Sequence, residues 1–396
     1  MSNQLSIFVV LSILMKTRLL FLFIAFSLTE NPCKSQDAAL GQWNDYLAYQ
    51  QGLTVCQGGS KIYCCCFSGI FFYNLSDNSL ERYSKVTGLS DIGCTVARYN
   101  TSTNTLVIGY SDGNIDLMVN NHIINIADLK NSTAQGSKKI NNSYFNNNLA
   151  YISCGQGIMV VDLNQYIILD VYYIGASGSA LNVYSTTIYN DTLFAATSKG
   201  VYKISVNDPN PSDFQAWSVV SSPLPPGVYN EIVSCGSKMY ASFSRRLTYN
   251  TYNEDTLFVY SSGKWSHASI LQGNDNIYSL QSQIINNTPY LVYSGSGNAN
   301  TYDTSGTLIS HIYSYQLTNA PQPNDAVLDN AMTTWIADAN YGLVRAPSSY
   351  SVQNYYPPGP FSNLVFAIAT KGPYLYSAPG GYDGSISPLG IRHIGV

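Results

Sequence analysis

One short motif returns along this chain at nearly constant spacing, and it constrains the fold more than any other feature. It reads IYCCCFSGIFFY at 62–73, LVIGYSDGNIDL at 106–117, AYISCGQGIMVV at 150–161 and LFAATSKGVYKI at 193–204. Its glycines are Gly69, Gly113, Gly157 and Gly200, separated by 44, 44 and 43 residues. Less regular copies follow at 239–250, 290–302 and 334–345, with Arg246, Gly297 and Gly342 in the glycine position. The residue six places earlier is apolar each time: Tyr63, Val107, Tyr151, Phe194, Tyr240, Leu291 and Ile336. Each copy reads as a strand, a tight reversal and a second strand. Glycine is expected to supply the positive φ that such a reversal often needs. A period of 40–50 residues is the length of one four-stranded propeller blade. Turn-rich stretches at 74–79, 100–104 and 207–212 supply the remaining connections. Long amphipathic helical patterns are hard to find, which disfavours a helical solenoid.

The expected fold is therefore all-β. Seven copies fit a seven-bladed β-propeller over residues 36–350, and the segment Trp43 to Tyr49 is placed to lend a strand to the last blade and close the ring. The stretch YYPPGP at 355–360 reads as a linker, and an eighth copy starts at PYLYSAPGG, with Tyr374 six residues before Gly380. Residues 351–396 thus read as a linker and the truncated start of a second propeller. An isolated blade cannot bury both faces, so residues 361–396 are expected either to be poorly packed or to dock on the first ring.

Composition agrees. Hydrophobic residues are 45 % of the chain, enough for a sizeable core, and the 33 Tyr favour strands and half-buried surfaces. Charged residues are only 11 %, with 19 Lys plus Arg against 23 Asp plus Glu, a net charge of -4. With no basic surplus to neutralise phosphates, a nucleic-acid partner is disfavoured.

Residues 1–35 read as a secretory signal peptide. Lys16 and Arg18 precede the apolar run Leu19 to Leu28, and the small residues Cys33 and Ser35 suit cleavage after Ser35. Ten apolar residues are too few to cross a bilayer, which takes about 20. Joining them to the apolar Leu5 to Leu14 would bury both cations at roughly 2.5–3.5 kcal/mol each. Met15 is therefore read as the start, and the mature chain has no transmembrane segment. A lipoprotein would be acylated at Cys33, but Glu30, Asn31 and Pro32 fit that poorly. Seven cysteines follow: Cys56, Cys64, Cys65, Cys66, Cys94, Cys154 and Cys235. None has CxxC spacing. They read as small buried hydrophobes, with a disulfide within the group as the alternative.

The sequence offers no catalytic, cofactor-binding or metal-ligating set. His122, His267, His311 and His393 are scattered without zinc-site spacing, and no GxSxG elbow occurs. Ser111-Asp112-Gly113 has the start of a sialidase-type aspartate box but lacks the following aromatic, and reads as a polar turn. Gly295-Ser296-Gly297 lacks the strand–loop–helix setting of a nucleotide site. Asn74 and Asn190 begin Asn-x-Ser/Thr triplets, and Asp191-Thr192-Leu193 and Asp255-Thr256-Leu257 match a short bacterial O-glycosylation pattern of high chance frequency. Exposed Tyr would suit a sugar ring, but most Tyr are expected to pack between blades. Tyr46, Tyr172 and Tyr173 lie near expected loops.

The segment 84–118, with Gly88-Leu89-Ser90-Asp91, Leu106-Val107-Ile108-Gly109 and Gly113, resembles the regulator-propeller repeat of Bacteroidetes-type bacteria. With GQWNDYLAY (41–49), SKIYC (60–64), LSDNSLERYSKVTGLSD (75–91), NNLAYISCGQGI (147–158) and YSAPGG (376–381), the chain resembles the PorZ-like family of the type IX secretion system over residues 36–396. The resemblance implies a non-enzymatic protein exported through the periplasm to the outer-membrane surface. It implies partnership with the PorU sortase, PorV and PorQ, and binding of anionic lipopolysaccharide that is handed to the sortase. Members of the family are longer, with two propellers and a C-terminal β-domain. Two other readings share the repeat: a ligand-sensing periplasmic propeller of a hybrid two-component regulator, and a carbohydrate-active propeller enzyme, which would need convergent carboxylates.

Overall fold

The computed structural model describes residues 45–249, 255–270, 276–363, 365–372 and 374–387. The signal-peptide segment, its cleavage site, Trp43 and His393 lie outside them. The described residues form seven four-stranded antiparallel sheets, each an up-and-down meander, and one further two-stranded sheet. Blade 1 spans 52–83, blade 2 94–126, blade 3 140–172, blade 4 183–219, blade 5 229–267, blade 6 277–312 and blade 7 323–355. The fourth strand of blade 7, Ser351–Tyr355, thus occupies the start of the segment read as linker. The extra hairpin pairs Val365–Lys371 with Tyr374–Pro379.

The first strand of every blade carries the same irregularity. Its ladder with the second strand shifts register at the second residue: Leu53, Thr95, Asn141, Tyr184, Asn230, Tyr278 and Asn324. A bulge of this kind leaves one residue out of the ladder and re-aims its side chain. Four of these side chains donate to the carbonyl that opens the next blade. Thr95 Oγ1 reaches Ile140 O at 2.7 Å, and Asn141 Nδ2 reaches Val183 O at 2.6 Å. Asn230 Nδ2 reaches Ile277 O at 2.6 Å, and Asn324 Nδ2 reaches Gly52 O at 2.7 Å. The last of these joins blade 7 to blade 1, so the ring closes by the same bond as three of its other seams.

No strand is lent from the N-terminal side within the described residues. All four strands of blade 7 come from 323–355, and Asp45–Tyr49 are not extended into a ladder. One backbone bond ties that segment to the seam, from Gly342 N to Gln50 O at 2.7 Å. Blade 7 already has its four strands from contiguous sequence, so no place in its sheet is left to fill.

The motif positions fall where the period put them. Tyr63, Val107, Tyr151, Phe194, Tyr240, Leu291 and Ile336 all lie on second strands and are all buried. They belong to core clusters that also hold residues of a neighbouring blade. Arg246 departs from the repeat. Blade 5 leaves its second strand into a short helix, Arg245–Tyr249, instead of a tight reversal.

The positive φ expected of the motif glycine is found at Gly113, Gly157, Gly200, Gly297 and Gly342, and Gly69 is the exception. Gly69 does not have positive φ, but a Cβ there would stand 2.4 Å from Tyr83 O on the blade's fourth strand. At Gly157 the gap to Tyr172 O would be 2.1 Å. At these two positions close passage of the outer strand's backbone also excludes a side chain. In the hairpins between the first and second strands of blades 4 and 6, positive φ falls to the paired polar residues Asn190-Asp191 and Asn286-Asn287, as type I′ reversals require.

The seams are aromatic. Tyr73 of blade 1 lies 5.4 Å from Trp335 and 4.4 Å from Tyr355 of blade 7. Tyr63 stacks on Tyr99 across the next seam, and Tyr189 meets Tyr260 between blades 4 and 5. These rings gain several tenths to about 1.5 kcal/mol per pair beyond their area burial. Beyond blade 7 the chain stays on the ring as far as residue 363. Ala48 N donates to Asn363 Oδ1 at 3.0 Å, and Asn363 Nδ2 donates to Ser68 Oγ at 2.6 Å.

Candidate functional site

First strands line the axis of a propeller, and here three of them bring charge to it through Arg98, Glu231 and Asp325. Arg98 of blade 2 and Asp325 of blade 7 are separated by blade 1, yet Arg98 Nη1 and Asp325 Oδ2 are 2.7 Å apart. The second Asp325 oxygen accepts from Ser279 Oγ at 2.5 Å and from Gln281 Nε2 at 2.6 Å, both on blade 6. Val55 N donates to Asp325 Oδ2 at 3.0 Å, and Arg98 Nε donates to Asn142 Oδ1 of blade 3 at 3.1 Å. Five blades therefore meet through one carboxylate–guanidinium pair. Asp325 is 1 % exposed. A pair this dry persists only because hydrogen bonds satisfy the remaining lone pairs and protons.

Glu231, from blade 5, completes the cluster. Burial pushes its carboxyl up to about 8; the Arg98 charge pulls down, the Asp325 charge pushes up, and Ser185 of blade 4 hydrogen-bonds to it. At neutral pH the protonated form prevails, so the axis holds one cation, one anion and one neutral acid. Arg98 Nη1 is held by Asp325, Val55 O and Ala97 O, and the group left to exchange a proton is the shielded Glu231. The arrangement is a polar plug that joins blades. It does not present two opposed carboxylates to a substrate, as a carbohydrate-active propeller would need. Among the described residues no three His, Cys, Asp or Glu converge as metal ligands.

Sequence reasoning missed this cluster, although a signal exists. In a chain with so few charges, CTVARYN, YNEIVSC and PNDAVL each place one charge inside an otherwise apolar or neutral first strand.

The residues singled out from sequence are dispersed. Tyr46 and Tyr173 are exposed, but they belong to different parts of the ring. Tyr172 is buried, 6.1 Å from Trp217 of blade 4, so it is a seam residue and not a surface one. His122 opens the outer strand of blade 2, and His267 lies against Phe258. Ser111-Asp112-Gly113 is a hairpin turn in which Asn114 N donates to Asp112 Oδ1 at 3.1 Å. Its outward partner is Lys130, 2.8 Å from Asp112 and also paired with Asp91. Burial works to raise the Asp91 carboxyl, but the Lys130 ammonium and the Ile92 amide hold it down at about 2. Gly88-Leu89-Ser90-Asp91 is thereby structural: Leu89 is buried between blades 1 and 2, and Ser90 N donates to Asp116 Oδ2. Gly295-Ser296-Gly297 is the reversal between two strands of blade 6. Asp255 is buried and accepts from Ile277 N. Asn74 Oδ1 accepts from Ser76 N in its own turn, and Asn190 sits in a hairpin.

The surface counterpart of the Tyr prediction lies between blades 6 and 7. A cleft of about 360 Å³ is lined by His311, Ile309, Leu328, Met332, Pro347 and Ser349. Beside it Tyr313 and Tyr350 meet edge to face at 5.7 Å, with their hydroxyls 2.8 Å apart. Ser349 connects them to the cleft, donating to His311 O and accepting from Tyr313 N. Both rings are about half exposed, so aromatic faces and hydroxyls are offered together.

Comparison with known proteins now bears on these features. Residues 62–218 match the family described as the type IX secretion system PorZ N-terminal β-propeller domain. Among solved structures, the chain is similar to PorZ of Porphyromonas gingivalis, described as an essential bacterial surface component of the type IX secretion system. The TM-score is 0.69 at 18 % identity, over 86 % of this chain and 43 % of that one. It is also similar to the WD40 β-propeller domain of Doa1, with TM-score 0.53 and 11 % identity over 76 % of this chain and 96 % of that one. No curated protein matches the sequence. The chain thus spans less than half the length of the PorZ structure it matches.

Proposed function

We propose that this PorZ-like chain, a β-propeller of the type IX secretion system, works as a non-enzymatic component at the outer-membrane surface. In this reading it is exported, joins the attachment complex with PorU, PorV and PorQ, and binds anionic lipopolysaccharide for presentation to the PorU sortase. The observation that carries the reading is the family match on the most regular blades, which coincide with the stretch of constant period. The axis supports a scaffolding role, since its one cation is consumed by Asp325 and its one protonatable acid is shielded. No helix among the described residues is long and apolar enough to cross a membrane. The cleft flanked by Tyr313 and Tyr350 is a surface that suits a sugar ring. The hairpin 365–379 supports the start of a second propeller, because it repeats the first-strand bulge, here at Phe366.

Deleting the gene tests the role: cargo should accumulate unprocessed in the periplasm, and normal anchoring of cargo would refute the assignment. Binding of anionic lipopolysaccharide to the purified protein tests the ligand. Tyr313→Ala with Tyr350→Ala should weaken it by about tenfold or more, in line with the loss of about 1–3 kcal/mol typical of an anchoring aromatic. Unchanged binding would move the ligand to another face.

A further inference from the structure

Alternation along the second strand of blade 1 sorts its three cysteines. Cys64 and Cys66 pack with blade 7, in the cluster of Val327, Trp335 and Leu343. Cys65 points the other way, into the cluster it shares with Cys94, Leu106 and Tyr110 of blade 2. Cys94 opens the first strand of blade 2, and its backbone is fastened to the blade 1 hairpin just past Cys65. Phe67 O accepts from both Gly93 N at 3.0 Å and Cys94 N at 3.2 Å. Both thiols are fully buried. The Cys65 thiol is pushed well up, first by its direct interaction with the Cys94 side chain and then by burial.

We propose that Cys65 and Cys94 form a disulfide when the chain folds in an oxidising medium, stapling blade 1 to blade 2. Cys66 interacts with the Cys64 side chain in the same way, but strand geometry keeps that pair from bridging. Cys64 and Cys66 are two apart on one extended strand, where parallel side chains stand about 6.5–7 Å apart at Cβ, against the 3.5–4.5 Å a disulfide spans. The bond forms by exchange with a small-molecule disulfide such as oxidised glutathione. One cysteine thiolate attacks it, its S–S bond breaks, one glutathione leaves and a mixed disulfide remains. The second cysteine thiolate attacks the protein-side sulfur, and the second glutathione leaves. Two cysteines are oxidised, one glutathione disulfide is reduced to two thiols, and the two cysteine protons end on those thiols. Since both sulfurs are sealed in the finished seam, exchange takes place before blades 1 and 2 close on each other. The proposal does not depend on the function assigned above.

The test is refolding of the denatured chain in reduced or in oxidised glutathione, followed by alkylation in denaturant and peptide mapping. The expected result in oxidised glutathione is loss of two thiols from the seven described, with the Cys94 peptide cross-linked to the peptide carrying Cys64 to Cys66. Cys64→Ser and Cys66→Ser should keep the cross-link, and Cys65→Ser should abolish it. The oxidised protein should also melt above the reduced one. Alkylation of all seven cysteines in the oxidised sample would overturn the proposal. So would a Cys94 cross-link to any cysteine but Cys65, or one that survives Cys65→Ser. The thiol map of the unmutated chain decides the matter even if a variant fails to fold.

Discussion

The hairpin 365–379 and the first two strands of blade 1 are built alike. Both are antiparallel pairs with a bulge at the second residue of the first strand. Ladder position makes Tyr376 the counterpart of Tyr63, and not Tyr374 as its spacing from Gly380 suggests, since Tyr376 and Tyr63 each lie two residues into their strand from the hairpin turn. Their surroundings differ. Tyr63 is 6 % exposed against Tyr99 and Phe72, whereas Tyr376 is 48 % exposed, and Phe366 and Ile368 on the paired strand are more open still. Sequence makes the strand pair, but only neighbouring blades bury it. A blade is a slab with two apolar faces, and closure of the ring supplies a partner for both.

The axial cluster should separate the two regions most sharply. Arg98→Ala strands Asp325 in a dry interior and should destabilise the ring by about 3–5 kcal/mol, read as a lower denaturant midpoint. Replacing both partners together, Arg98→Met with Asp325→Leu, should recover most of that loss. If the single and double variants lose the same amount, the pair is not what holds the axis.

Glu231 predicts the pH response. Its folded-state carboxyl lies at about 8, above the ordinary 4.5, so folding favours the protonated form. That contribution is complete below pH 4.5 and is lost as pH rises towards 8, at about 1.4 kcal/mol per pH unit within the window. Ring stability should fall over this range, and Glu231→Gln should flatten the profile. An equally steep fall in the variant would assign the response to other groups.

Smaller effects follow at the blade edge. Gly157→Ala forces a methyl towards Tyr172 O and should cost about 1–3 kcal/mol, while Gly263→Ala, strained by its positive φ but with open space around it, should cost less. A melting series on the two variants measures the contrast. The least effect is expected at Phe366→Ser, within about 0.5 kcal/mol of the parent, because its ring is not part of the ring-shaped core. A large loss there would mean that the hairpin contributes to the propeller after all.

The repeat made most of the fold legible before any coordinates. Period, strand pairs and the seven apolar markers follow from composition and spacing, because the blade is a local unit whose contacts are largely within about forty residues. Arg246 shows the limit: spacing alone filled a place in the period that the chain uses for a short helix. Tyr172 shows another. Its neighbours in sequence suggest a loop, but Trp217, on the next blade, covers it. The Gly88-Leu89-Ser90-Asp91 motif was visible as a family mark, whereas its work at the seam between blades 1 and 2 required Asp116 and Lys130 to be brought beside it.

By itself the sequence determined the blade: alternating apolar strands at a period near 44 residues, and reversals at which most of the motif glycines take positive φ. Those are short-range consequences of sterics and side-chain burial. Tertiary structure alone decided how the ring shuts and what occupies its axis. Gly52 and Asn324 close the last seam from 272 residues apart, and Arg98 finds Asp325 from 227 residues away. Such pairs carry no spacing signal, since circular closure, and not chain proximity, sets which first strands face one another.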